Sequence, residues 1–289
     1  MKVKSVLLTS IVVVAWGSAF PILKLVLAET NPITLGFLRF LLATPILVLY
    51  AHLSYGKEFW SVFTEEPLLL ALMGLTGVVG YHVLQNFAAE ETSPTVQSII
   101  ISSNPMMVAI LSSILLKERV GKSRVVGIAL GFTGVILIVI SDSYSASTIP
   151  SSLVGELLSI GAAFCWALYS VLSKRLSANH SAVELTASSM VFGTFFFLPA
   201  VYFTGKPQLP TSPLVWLGTL ELSLISSCLA YALWNHLISK RDASRVSISL
   251  FLIPVVSAAI SVIFLAESLL PTTVVGMMMV TAGILVAER

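Results

Sequence analysis

The sequence predicts an all-α integral membrane protein, with ten transmembrane helices arranged as two inverted five-helix repeats. Three observations lead there. Hydrophobic residues make up 56% of the 289 and charged residues only 10%, where a soluble domain usually carries about 25% charged residues. Apolar runs of roughly 20 residues follow one another along the whole length, each able to cross about 30 Å of hydrocarbon. The third observation is that the chain echoes itself at a constant offset of 149 with no gap. Asn86 falls on Asn235, Ser98 on Ser247, Pro105 on Pro254 and Ala109 on Ala258. Ser112 falls on Ser261, Leu116 on Leu265, Glu118 on Glu267, Val126 on Val275, Gly127 on Gly276 and Gly134 on Gly283. Internal symmetry of this kind in a membrane chain points to a secondary transporter.

Taken in order, ten runs can be read at roughly 5–27, 33–52, 68–88, 93–116, 122–141, 153–174, 182–204, 213–237, 243–265 and 271–287. Helix-breaking punctuation separates them: Asn31-Pro32, Glu65-Glu66-Pro67, Gly121-Lys122, Ser151-Ser152, Gly205-Lys206-Pro207 and the stretch from Ser268 to Pro271. The runs are too long for barrel strands and lack their alternation. The first run sits behind Lys2 and Lys4 as a signal peptide would. Its length, with Trp16, Pro21 and a counterpart near Cys165-Trp166, makes it a retained helix. Residues 1–141 form the first repeat, 142–152 a short serine-rich external linker, and 153–289 the second repeat.

Charge sets the orientation. With the amino terminus in the cytoplasm, the inner side receives Lys2, Lys4, Lys57, Lys117, Arg119, Lys122, Arg124, Lys174, Arg175, Lys240, Arg241, Arg245 and Arg289. The outer side receives Lys206 alone, with Lys24 near the outer end of its helix and Arg39 within the membrane. This asymmetry satisfies the positive-inside rule and places both termini in the cytoplasm. Five helices per half is an odd number, so the second half enters from the opposite face. That is the inverted topology by which two halves can exchange access to one central site.

Several short stretches then carry a resemblance. They are Trp16-Gly17-Ser18 with Pro21, Arg39-Phe40, Pro105 followed by Leu116-Lys117-Glu118, Trp166-Ala167-Leu168-Tyr169, Tyr231-Ala232-Leu233-Trp234, and Pro254 with Glu267. As an ordered set over ten helices they resemble the EamA-type branch of the drug/metabolite transporter superfamily, over essentially the whole chain. The resemblance implies a ten-helix bundle that moves small organic metabolites, often amino acids, outward. A nucleotide-sugar or sugar-phosphate exchanger, or an importer, is the related alternative. Phosphorylated cargo would want paired cations at the midplane, and only Arg39 and Lys24 are candidates. The turn Leu265-Ala266-Glu267-Ser268 departs from the pattern by lacking the basic residues that flank Glu118, as suits an external turn.

Candidate substrate-binding residues follow from depth and spacing. Pro105 and Pro254 fall near the midplane, where a proline frees a carbonyl about a turn earlier and so favours a wet cavity; Asn104 adjoins Pro105. His82, Gln85 and Asn86 share one helix face, expected near the outer mouth. Tyr231, Trp234 and Asn235 share the matching face, expected near the inner mouth. Trp16 and Trp166, with Tyr169, lie too deep for an interfacial belt and suit a cavity wall. Helix packing alone explains each of these residues about as well. Two charges lie at depth, Arg39 and Glu221; the spacing allows a pair, and Glu221 is the deep candidate for proton coupling. Glu118 and Glu267 suit capping at turns.

The pattern lacks what an enzyme needs. His52, His82, His180 and His236 are scattered with no metal-ligand spacing, Cys165 and Cys228 sit in different helices, and no phosphate-binding glycine loop appears. No catalytic residue, metal or cofactor is expected, nor any nucleic-acid partner. The expected partners are a small-molecule substrate and membrane lipid, in a plasma-membrane setting; the sequence leaves monomer and oligomer open. A membrane enzyme is the alternative class. Gly127, Gly131 and Gly134, echoed by Gly276 and Gly283, read as close helix packing.

Overall fold

The computed structural model describes residues 3–92, 94–144, 152–204, 207–257 and 271–287, and every regular element among them is helical. We label the helices α1 (Val3–Leu27), α2 (Pro32–Tyr55), α3 (Pro67–Glu91) and α4, which comes in two pieces (Pro94–Ile101 and Asn104–Leu115). Then follow α5 (Lys122–Tyr144), α6 (Leu153–Leu176), α7 (Ala182–Thr204), α8 (Pro213–Lys240), α9 (Ala243–Ser257) and α10 (Pro271–Ala287). Six of them, α1, α2, α3, α6, α7 and α8, are long and apolar enough to cross a membrane. The sequence punctuation works as local chemistry predicts. Asn31, Ser152 and Ser212 each accept a hydrogen bond from a backbone N–H of the first turn they precede, and Pro32 and Pro213 open their helices.

Three features depart from a simple row of uninterrupted helices. A short helix, Lys57–Glu65, lies between α2 and α3 and buries Phe59 and Val62. The fourth run breaks at Ser102-Ser103, because Pro105 lacks the N–H that would continue the ladder and instead starts a fresh helix with Asn104. In α9 the turn Ile248–Phe251 tightens to a 3₁₀ helix just ahead of Pro254. Several expectations lie outside the described residues: residues 145–151 of the linker, Lys206, Ala258, Ser261, Leu265, Glu267 and the termini with Lys2 and Arg289.

Both α3 and α8 widen into π-helix, over Gly74–Gly80 and Glu221–Leu229 respectively. Moved by 149, the first range falls inside the second. A π turn offers backbone carbonyls to side chains, and two are used here: Gly77 O accepts from Tyr231 and Ser226 O from Trp16.

The ends of the bundle sort into two faces. On one, Glu91 accepts from Ser152, and the Glu29 carboxylate accepts from the Thr211 and Ser212 amides and the Thr211 hydroxyl. On the other, the Glu118 carboxylate caps the start of α9 through Ala243 N at 3.0 Å and Ser244 Oγ at 3.0 Å, and Arg124 pairs with Asp242 at 2.9 Å. Ser5 at the start of α1 adjoins Arg241 and Arg245 on this second face. Therefore α1 runs toward the Glu29 face and α6 runs away from it.

Glycine lets α5 and α10 touch. A Cβ added at Gly127 would lie 2.5 Å from Gly283 O, and one at Gly134 would lie 2.6 Å from Gly276 O. As numbers rise along α5 they fall along α10, so the two helices are antiparallel. The pairing is reciprocal: each glycine meets the echo of the other. Replacing Gly134 by Ala should lower thermal stability in detergent by about 1–3 kcal/mol, since the new methyl meets backbone that cannot move aside. Gly121→Ala, with open space around it, should leave the melting temperature unchanged.

The Glu29 tie is pH-sensitive. Hydrogen bonds from the Ser212 and then the Thr211 backbone hold its carboxyl near 2, below the ordinary 4.5. A depressed carboxyl contributes stability that is complete above the unfolded value and is lost as pH falls toward the folded one. Amide exchange at Thr211 and Ser212 should therefore gain an acid-induced opening step between about pH 4.5 and pH 2. Glu29→Gln should remove that step.

Candidate functional site

Four helices meet where α1, α3, α6 and α8 bring aromatic rings together. Trp16 and Trp166 pack edge to face with centroids 4.9 Å apart, and Trp166 meets Tyr231 at 5.0 Å and Tyr81 at 5.2 Å. These rings, with Phe20, Leu23, Ile101, Leu250 and Ile253, enclose a cavity whose polar wall is Arg39, His82, Gln85, Ser102 and Asn104. Its free volume is about 40 Å³, room for a few water molecules at roughly 10–15 Å³ each. Little free space remains between these side chains.

The polar wall is arranged by definite donors and acceptors. Tyr231 OH donates to Gly77 O at 2.7 Å, so its oxygen is left to accept from His82 Nε2 at 2.8 Å. A neutral His82 then carries its proton on Nε2 and presents Nδ1 as an acceptor. That Nδ1 is buried and has no protein partner. Asn104 donates its amide to Ala163 O at 2.8 Å, which fixes its orientation and leaves Oδ1 buried and unpartnered; Gln85 Oε1 is in the same condition. Ser102 turns its hydroxyl back to Ser98 O, satisfying a carbonyl beside the break in α4.

Arg39 is the cation of the site. It is 3% exposed, donates Nε to Ser227 Oγ at 3.2 Å, and lines the cavity. Among the described residues no carboxylate lies within ion-pair distance of it. The pair with Glu221 that similar depth allowed is not formed. Instead the two bind neighbouring serines of one π turn, Arg39 on Ser227 and Glu221 on Ser226.

The structure thus brings Trp16, Arg39, His82, Gln85, Asn104, Trp166 and Tyr231 to one cavity. Other candidates stand behind it. Asn235 accepts from Ser173 Oγ and donates to Tyr169 OH and Thr186 Oγ1 at 2.7–2.8 Å. Trp234 donates to Ser170 Oγ, and Asn86 donates to Pro32 O. Tyr169, Asn86, Trp234, Asn235, Pro105 and Pro254 do not line the cavity. The two helix faces expected at opposite mouths meet instead, since His82 and Tyr231, which are counterparts under the 149 offset, are hydrogen-bonded to each other. The reason is depth: His82 and Tyr231 each lie just past the middle of their helices, Pro67–Glu91 and Pro213–Lys240, rather than at the ends. Sequence reasoning did not select Tyr81, Phe20, Ser102 or Leu250; Tyr81 adjoins His82 and Ser102 adjoins the α4 break, which were the available signals.

Asn235 ties three helices, so Asn235→Ala should act on stability. It would leave the Ser173 hydroxyl without its acceptor and take a donor from Tyr169 and Thr186, at about 1–3 kcal/mol, measurable as a lower melting temperature. Asn104→Ala should leave melting nearly unchanged relative to Asn235→Ala and alter solute affinity instead.

Comparison with known proteins follows from this geometry. The model of the EamA-like transporter family matches residues 3–140 and again 153–288. An uncharacterized transporter of Archaeoglobus fulgidus is 34% identical over 291 residues, covering 99% of each chain. A probable amino-acid metabolite efflux pump of Salmonella typhimurium is 27% identical, covering 98% of this chain and 94% of its own. A solved crystal structure superposes with a TM-score of 0.79 at 18% identity over 99% of this chain and 97% of its own, a likeness of fold. These matches identify a transporter rather than an enzyme.

Proposed function

Because the chain belongs to the EamA-like transporter family, we propose that it exports amino acids or closely similar zwitterions by alternating access at the central cavity. The observation that carries this reading is the pairing of opposite demands inside one aromatic box. Among the described residues the Arg39 guanidinium has no carboxylate within ion-pair distance, and Gln85 Oε1, Asn104 Oδ1 and His82 Nδ1 have no hydrogen-bond partner. A carboxylate and an ammonium on one small molecule would answer both. Buried groups left unsatisfied each cost about 1–3 kcal/mol, so filling them gives a strong preference for a solute that carries both charges. The Salmonella relative's name, an amino-acid metabolite efflux pump, points the same way.

Phosphorylated cargo fits less well. Arg39 is the one lysine or arginine lining the cavity, and Lys24 does not reach it. A dianionic phosphate usually draws paired cations.

Alternating access is supported by the symmetry. The family model matches the two halves separately, α1 and α6 run in opposite senses, and counterpart groups touch at His82–Tyr231 and across α5 and α10. A residue can touch its own counterpart only near a two-fold axis. We therefore read residues 1–141 and 153–289 as inverted repeats about that axis, with ten spans in a plasma-membrane setting. The face bearing Lys117, Lys122, Arg124 and Arg241 is then cytoplasmic.

Proteoliposome efflux of a labelled amino-acid panel tests the reading. The wild type should move zwitterionic amino acids and discriminate against their esters, which lack the carboxylate. Arg39→Gln should raise the half-saturating concentration about 10- to 100-fold, as expected for losing a charged hydrogen bond of about 1.5–3 kcal/mol. Unchanged affinity in that variant, or equal transport of the esters, would contradict it.

A further inference from the structure

One acid is wired to the seam between α1 and α8, beside the cavity that Trp16 lines, without lining that cavity itself. Glu221 opens the π turn of α8, about 12 Å along the helix from Pro213 at 1.5 Å per residue. Its Oε1 lies 3.1 Å from Ser226 Oγ, and that same hydroxyl lies 3.0 Å from Ala15 O of α1. Trp16 completes the seam by donating Nε1 to Ser226 O at 3.0 Å.

Ser226 has a single hydrogen for two short oxygen contacts. Ala15 O is a carbonyl and can only accept, so the bond across the seam uses the serine hydrogen. The contact with Glu221 then needs a hydrogen from the acid. Both contacts hold together only when Glu221 is protonated. A second observation agrees: Glu221 Oε2 is buried and has no partner. That is tolerable for the carbonyl oxygen of a neutral acid and costly for an anion.

We propose that Glu221 binds a proton that locks the empty carrier shut, and that releasing this proton loosens α1 from α8 and opens the cavity. The inference rests on the transport reading above but concerns what drives the cycle rather than what is carried. The charged groups around the acid fit this role. Arg39 of α2 is the cation whose field reaches Glu221, yet it is not paired with it. Lys24 of α1 makes no ion pair with it among the described residues, and α1 otherwise offers the Ala15 carbonyl and the Trp16 indole.

On ionisation the proton leaves to water in the opening path. Ser226 turns its hydrogen to the carboxylate, and the Ser226–Ala15 contact becomes oxygen against oxygen. Arg39 is drawn toward the new anion. In the loaded carrier the solute bridges the helices through its own contacts, so the proton does for the empty carrier what solute does for the loaded one. The consequence is exchange of one proton for one solute.

Cavity access measures this without reference to any substrate. In full-length protein with Cys165→Ala and Cys228→Ala, a single Ser102→Cys reports entry of a membrane-permeant maleimide. Dividing its labelling rate by that of the same protein carrying Glu221→Gln cancels the thiol's own pH dependence. The ratio should be near one in acid and rise with pH by up to about tenfold per unit, the limit for one linked proton. A flat ratio from about pH 5.5 to about pH 8.5 overturns the proposal. Ser226→Ala, which cuts the bridge and spares the acid, should label fast already at the acid end; labelling as slow as Glu221→Gln overturns it too. Amino-acid flux in the same preparation separates the two readings: a rising ratio with no flux supports the proton site and discards the substrate class.

Discussion

At the depth where α1, α3, α6 and α8 meet, lipid offers no hydrogen bonds, so polar groups there are answered mainly from within the chain. This constraint explains most of what surrounds the cavity. Asn235 has three partners, Tyr231 two, and Trp16 and Trp234 each place the indole N–H on an oxygen. The π turns of α3 and α8 take part, because widening the helix turns the Gly77 and Ser226 carbonyls toward side chains that would otherwise lack acceptors. The rule is broken at His82 Nδ1, Gln85 Oε1 and Asn104 Oδ1, which belong to residues lining one small cavity, and also, away from that cavity, at Asn86 Oδ1, Glu221 Oε2 and Arg245 Nε. Unmet groups that converge read as a binding site rather than as poor packing.

Residues that echo each other in sequence also meet in space: His82 and Tyr231, 149 apart, are hydrogen-bonded, and glycine stands against glycine where α5 meets α10. The halves are not equal at the centre, however. The counterpart of Arg39 is Ser188, and that of Trp16 is Cys165. The cavity is lopsided, with its cation contributed by the first half and the serine that accepts from it, Ser227, by the second.

Much of the scaffold was legible in the residues because hydrophobic length and repeat offset are one-dimensional signals. Asn31-Pro32 and Ser212-Pro213 mark helix starts by local chemistry, and Glu118 caps the turn before α9 as its position suggested. The site was legible in part. Arg39 stood out because a charge at that depth needs a reason, and Trp16 and Trp166 because they are too deep for an interface. Asn235 was indistinguishable from a cavity residue, since a buried Asn that ties helices and one that meets solute have the same sequence signature. The meeting of His82 with Tyr231 was hidden for a different reason. Position along a helix is readable from residue count, whereas which helix faces turn toward each other is set by packing among all of them. The short Lys57–Glu65 helix was too brief to give a periodic signal.

A structure of the protein bound to an amino acid tests the central claim most directly. The account predicts density in the aromatic box, with the carboxylate in hydrogen-bonding range of Arg39 and the ammonium facing Gln85 and Asn104. Solute bound elsewhere, or with its carboxylate turned away from Arg39, would contradict it.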